Sequence, residues 1–192
     1  MPPDDSRALA ASLSPGRRAP GKTAIAAVVV ATVVVLDVLT KLWIVRNFRL
    51  YESVPVLGDF FRLTYTHNRG AAFGIHVGEY SRVFFLVLSL VALVVLAAIY
   101  RATPASDRLR LFALSLVSGG AIGNVLDRLR YASGVVDFLD VGIGPHRWPV
   151  FNVADMAVST GAILLLISFY LEGRDAERAA DGADGSEDAT GP

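Results

Sequence analysis

The chain has 192 residues, no cysteine, 18 basic and 18 acidic side chains, and is 53% hydrophobic but only 19% charged. A soluble domain carries about 45–50% apolar and about 25% charged residues, so this composition excludes a soluble enzyme built on one buried core. Zero formal net charge argues against a general polyanion binder, so no nucleic-acid partner is expected. Without cysteine there is no disulfide framework, thiol nucleophile or thiolate metal site.

The hydrophobic excess is clustered. Residues 1–22 form a basic tail with Arg7, Arg17, Arg18 and Lys22, and an apolar run follows from Ala24. No small-x-small cleavage pattern follows Leu36, and Asp37 to Lys41 continues a helical pattern, so the segment reads as a retained span rather than a signal peptide. Spans are predicted over about 24–46, 83–100, 109–126 and 150–171, within a membrane domain covering 23–171. In hydrocarbon each segment satisfies its own amides, so helices are expected. Four spans place both termini on one side. The dense loop 101–110, with Arg101, Arg108 and Arg110, and the basic residues before the first span favour the cytoplasmic side. Residues 47–82 and 127–149 then form the outer loops. In the first, Phe61 to Thr66 alternates apolar and polar. In the second, Val135 to Val141 is rich enough in β-branched and apolar residues to pair with it as a small sheet. The tail 172–192 holds seven acids and no apolar period, and is expected to lack ordered structure.

Polar groups inside a span cost a few kcal/mol each, so each calls for a reason. Asp37 and Lys41 are one helical turn apart with the acid first, the favourable order for an ion pair. Mutual neutralisation is the simpler reading, and a direct role at a site is the other. Ser115, Gly119 and Gly123 repeat every four residues in the third span and read as a helix-packing stripe. Asn124, Asp127 and Arg128 follow. They are either interfacial residues in reach of water or a polar platform under a site. Asp155 stands one turn into the fourth span behind Asn152, which could cap that helix. Asp137 and Asp140 lie in the preceding loop, Asp140 as a solvent-facing strand residue. Two acids that meet at a bilayer edge share a proton, the arrangement by which carboxylates hydrolyse peptides. His67, His76 and His146 lack metalloprotease spacing, and no nucleophile motif surrounds any serine. Carboxylates remain, and the residues alone leave open which two pair.

Five blocks in order resemble one family: Asp37-x-x-Thr-Lys41; Asn68-Arg-Gly70-Ala-Ala-Phe-Gly74; Gly119-Gly-Ala-Ile-Gly-Asn124-x-x-Asp127-Arg128; Val135-Val-Asp137-Phe138; and Phe151-Asn152-Val-Ala-Asp155. Over about residues 24–171 the chain is similar to lipoprotein signal peptidase (signal peptidase II, or prolipoprotein signal peptidase), an aspartic protease of the bacterial cytoplasmic membrane. The resemblance implies an all-α membrane protein of four transmembrane helices with cytoplasmic termini. It also implies a small extracytoplasmic β-cradle and a short interfacial helix near Ile75–Ser81 that covers a site at the outer face. The catalytic dyad is implied to be Asp137 and Asp155, eighteen positions apart. Supporting or substrate-binding roles are implied for Asp37, Lys41, Asn68, Gly70, Asn124, Asp127, Arg128 and Asn152.

The substrates implied are prolipoproteins carrying a diacylglyceryl-cysteine, cut just before that cysteine, with membrane lipids as the other partner. The family needs no cofactor or metal and is inhibited by globomycin, and a monomer is expected. Two rival readings stand beside this one. A four-helix transporter or channel would show flux that depends on Asp155. A purely structural membrane protein would lose its fold when its intramembrane acids change.

Overall fold

The computed structural model describes residues 21–70 and 78–187. Helix α1 (Lys22–Asn47) leads into strands β1 (Ser53–Leu57) and β2 (Phe61–Asn68). A single 3-10 turn at Gly78–Tyr80 opens helix α2 (Ser81–Ala102), and helix α3 (Arg108–Arg130) follows. Strands β3 (Val135–Ile143) and β4 (His146–Arg147) then precede helix α4 (Val153–Glu187). Four stretches, Lys22–Asn47, Gly78–Ala102, Arg108–Arg130 and Val153–Asp175, are long and apolar enough to cross a membrane.

Helix α3 is central and packs against α1, α2 and α4. The outward faces of the other three are apolar and bare: Val35 and Leu39 on α1, Val91 and Val94 on α2, and Ile163 and Leu166 on α4 are all exposed. Water would disfavour such a surface, whereas lipid matches it. The buried faces explain the glycines of α3. A β-carbon at Gly123 would lie 2.5 Å from Asp37 Oδ2, and one at Gly120 would collide with the backbone carbonyl of Ala154 on α4. Small residues here let three helices approach closely enough for polar side chains to meet between them.

At the end of the bundle where α1 and α3 finish and α4 begins lies an antiparallel sheet of order β1-β2-β3-β4. Strand β2 pairs with β3, setting Thr66 opposite Asp137 and Asn68 opposite Val135. This is the pairing expected from the alternation at 61–66 and the apolar run at 135–141. A small core of Ile44, Tyr65, Val136 and Phe138 clamps the sheet to the end of α1.

Several expectations need correction. Asp140 is not solvent-facing: it is buried, accepts a hydrogen bond from Thr64 Oγ1 at 2.7 Å and pairs with Arg147 Nε at 2.6 Å. The fourth helix starts at Val153 rather than 150, because Phe151 is still bridged to Leu139 of β3. It also runs on to Glu187, where the acidic tail suggested no order. Apolar period is a signal for burial, whereas the alanines of 172–187 favour helix by intrinsic propensity. Of the covering helix expected near Ile75–Ser81, residues 75–77 lie outside the described residues, as do 71–74 of the second sequence block and 1–20 of the basic tail.

Replacing Gly120 by alanine should lower the thermal stability of the detergent-solubilised protein, by about 1–3 kcal/mol, because the obstacle is backbone. Gly173→Ala on α4, where nothing lies within 4 Å, should be neutral or stabilising.

Candidate active site

The start of α4 builds the site. A helix that begins inside a protein must satisfy its first amides. Here Asn152 Oδ1 accepts from Asp155 N at 2.9 Å, and Asp155 Oδ2 accepts from Asn152 N at 3.1 Å. This reciprocal pair is a capping box with an acid at its third position. It fixes the Asp155 side chain, whose other oxygen accepts from Asn124 Nδ2 of α3 at 2.8 Å. The capping role foreseen for Asn152 is therefore real, and it is also what aims Asp155.

The Asn152 side chain has a second task. Its Nδ2 donates to Asp137 Oδ1 at 2.7 Å and lies 3.2 Å from Asn124 Oδ1. One buried amide thus touches both acids, through its side chain to Asp137 and through its backbone and Oδ1 to Asp155. Asn68 of β2 also hydrogen-bonds Asp137. Asp137 is 2% exposed, and this burial, reinforced by the neighbouring charge of Asp155, pushes its carboxyl up to about 7. The amides of Asn152 and Asn68 and the Lys41 charge oppose that rise without cancelling it. Near neutral pH the pair therefore holds a proton that can be exchanged.

Beneath the acids, Lys41 Nζ lies 2.7 Å from Asp37 Oδ2 and 2.9 Å from Asp127 Oδ2, and donates to Asn124 Oδ1 at 3.2 Å. The two carboxylates reach further. Asp37 Oδ1 accepts from Ala154 N at 2.9 Å, and Asp127 Oδ2 accepts from Val136 N at 3.0 Å. Ala154 and Val136 are the residues immediately before Asp155 and Asp137, so one ammonium is tied to the backbone of both. The Asp37–Lys41 pair is more than mutual neutralisation, and Asp127 is platform rather than wet interface.

Arg128 completes the platform. Its Nη1 reaches Asn124 O at 3.2 Å and its Nη2 reaches Gly70 O at 3.1 Å, holding the end of β2 over the site. Gly70 N in turn donates to Asn68 Oδ1 at 2.9 Å. All ten residues picked from the sequence therefore converge. The backbone amides of Val136 and Ala154 were not foreseen, since main-chain donors leave no trace in residue type.

A cavity of about 490 Å³ opens on the acids, and its lining combines Asn68, Asn124, Arg128, Asp137 and Asp155 with the apolar side chains of Trp148, Met156 and Ile163. A lining that mixes two carboxyls with apolar side chains suits a substrate that is part peptide and part hydrocarbon. Next to it on β2, His67 hydrogen-bonds Tyr65 Oη at 2.9 Å, and burial holds its imidazole below the ordinary histidine range, so it is neutral at pH 7.

A bundle of four membrane-length helices with two carboxyls at a cavity at one end fits a multi-pass membrane protein, and the paired acids fit an aspartic peptidase. Comparison with known proteins narrows this. The family model for signal peptidase (SPase) II matches residues 29–171. A lipoprotein signal peptidase of Syntrophotalea carbinolica is 48% identical over 72% of this chain and 86% of its own length, and one of Moorella thermoacetica is 51% identical over 68% and 82%. A solved structure described as a bacterial membrane enzyme, obtained by the in meso method at 2.3 Å resolution, superposes with a TM-score of 0.72 at 30% identity, covering 79% of this chain and 90% of that one. The chain belongs to the signal peptidase II family and is a protease. The transporter or channel reading is not favoured.

Lys41→Met should destabilise the protein by about 3–5 kcal/mol, since it strands two buried carboxylates. Thermal unfolding in detergent measures this. The Asp37→Asn, Lys41→Met, Asp127→Asn triple variant should recover part of the loss, and a triple variant no more stable than Lys41→Met would contradict the ion-pair account.

Proposed function

We propose that this chain cleaves the signal peptide from bacterial prolipoproteins, just before a diacylglyceryl-modified cysteine, with Asp137 and Asp155 as its two catalytic carboxyls. The observation that carries this reading is the Asn152 amide in contact with both acids on the wall of one cavity. Two carboxyls sharing a proton next to water can do both halves of a hydrolysis. Asp155 accepts from two N–H groups and takes a proton from water as the water oxygen attacks the scissile carbonyl carbon. Asp137 gives its proton to the carbonyl oxygen. When the tetrahedral intermediate collapses, the C–N bond breaks, Asp155 returns its proton to the leaving amine, and Asp137 recovers one from the intermediate hydroxyl. Atoms and protons balance with the two carboxyls and one water.

The same reading places the protein in the bacterial cytoplasmic membrane with its termini in the cytoplasm and the sheet end outward. Membrane lipids contact the bare faces of α1, α2 and α4, and a single chain carries the whole site. A lipidated substrate partitions into the bilayer, so its scissile bond arrives at the depth where spans end. Gly70 and Asn68 sit over the acids from the sheet side, and Arg128 holds them there.

Asp137→Asn and Asp155→Asn should each lower cleavage of a lipidated prolipoprotein by about 1000-fold or more while the protein still inserts and folds. Retained processing by either variant would refute the assignment. For the wild type, kcat/KM should fall as pH rises through about 7, because Asp137 then loses the proton it donates. Globomycin should block the reaction.

A further inference from the structure

Tyr51, just past the end of α1, has φ +68° and is the one non-glycine residue with positive φ among the described residues. A bulky side chain is strained in that left-handed region. Core packing does not offset the strain, because Tyr51 is 73% exposed. The turn is nonetheless held firmly. Tyr51 N donates to Tyr65 O at 2.8 Å, Tyr65 N donates to Glu52 O at 3.0 Å, and Glu52 Oε2 accepts from Arg49 N at 2.7 Å. The chain thus fixes a strained backbone in order to present an aromatic ring to the outside.

Tyr51 is among the residues lining a second cavity of about 590 Å³, with Thr66, His67, Asn68, Arg69 and Ser133. Asn68, Gly70, Asp137, Pro149 and Val150 line this cavity and the first one alike, so Asp137 borders both. Their other walls differ in kind. The first cavity takes Met156, Val158 and Ile163 from a membrane-length helix. Among the described residues, the second is lined by strand and loop positions and by none from a helix, and most of them can hydrogen-bond.

We propose that Tyr51 is a substrate-binding residue that clasps the polypeptide following the lipidated cysteine, the part destined to become the mature N-terminus, within this second cavity. The inference rests on the peptidase reading above and names its second subsite. The apolar signal segment and lipid chains occupy the first cavity. The extended, hydrophilic chain on the other side of the scissile bond runs past His67 and Thr66 and under the Tyr51 ring.

The test uses the purified full chain in detergent and two synthetic substrates with the same signal segment and diacylglyceryl-cysteine. One ends at the cysteine. The other continues for about ten polar residues, enough to cross the cavity at about 3.3 Å each. The wild type should prefer the long substrate in kcat/KM. Tyr51→Gly, which removes the ring and accepts the positive φ, should reduce that preference by about tenfold, the worth of one aromatic contact. Its thermal midpoint should be no lower than that of the wild type, because the strain is relieved. Tyr51→Phe should keep the preference.

A Tyr51→Gly variant that retains the full preference, or that loses activity on both substrates equally, overturns the proposal while leaving the peptidase reading intact. Failure of the wild type to cleave either substrate overturns both.

Discussion

A single buried ammonium organises this site. Lys41 is almost fully enclosed, and its charge is met by Asp37 on its own helix and Asp127 on α3. Each of those carboxylates spends its remaining capacity on the main-chain amide just before one catalytic candidate. Burying a lysine is unfavourable by itself, and it is tolerable here because two carboxylates flank the ammonium. That requirement couples α1, α3, β3 and α4. None of the four can shift without leaving a charge unpaired in low dielectric, so the spacing of Asp137 and Asp155 is inherited from the packing of the bundle.

On that base, one asparagine carries two functions. Asn152 begins α4 by capping it, and its side-chain amide also contacts Asp137. Helix capping and the placement of the two candidate acids thus run through one side chain. The physical consequence is asymmetry. Asp137 lies on a strand, buried, with its carboxyl raised toward neutrality, while Asp155 lies in the first turn of a helix and accepts from two donors. Two chemically identical side chains are placed in unlike surroundings, as acid–base catalysis requires. The close approach of α3 to α4 that permits this depends on Gly120 and Gly123, where side chains would intrude.

Much of this was legible in the sequence. The spans followed from hydrophobic runs, the β2–β3 pairing from alternation, and the ion pair from the spacing of Asp37 and Lys41. The candidate acids became legible only through the five ordered blocks, since nothing in the spacing of Asp137 and Asp155 marks them as partners. Other features left no readable trace. The burial of Asp140 depends on Arg147 reaching back across a turn, which strand alternation does not encode. The extension of α4 to Glu187 reflects helix propensity, which competes poorly with composition when a tail is read for apolar period. Tyr51 was passed over because its significance lies in a backbone angle rather than in its residue type.

The central claim is that two carboxyls share one exchangeable proton beside a cavity, held mainly on Asp137. Infrared difference spectroscopy across pH 5–9 reads this directly, through the C=O stretch of a protonated carboxyl. The account predicts one such band in the wild type, lost with a midpoint near pH 7 and missing in Asp137→Asn. A wild-type spectrum without a protonated carboxyl at pH 6, or a band that persists unchanged in Asp137→Asn, would contradict it.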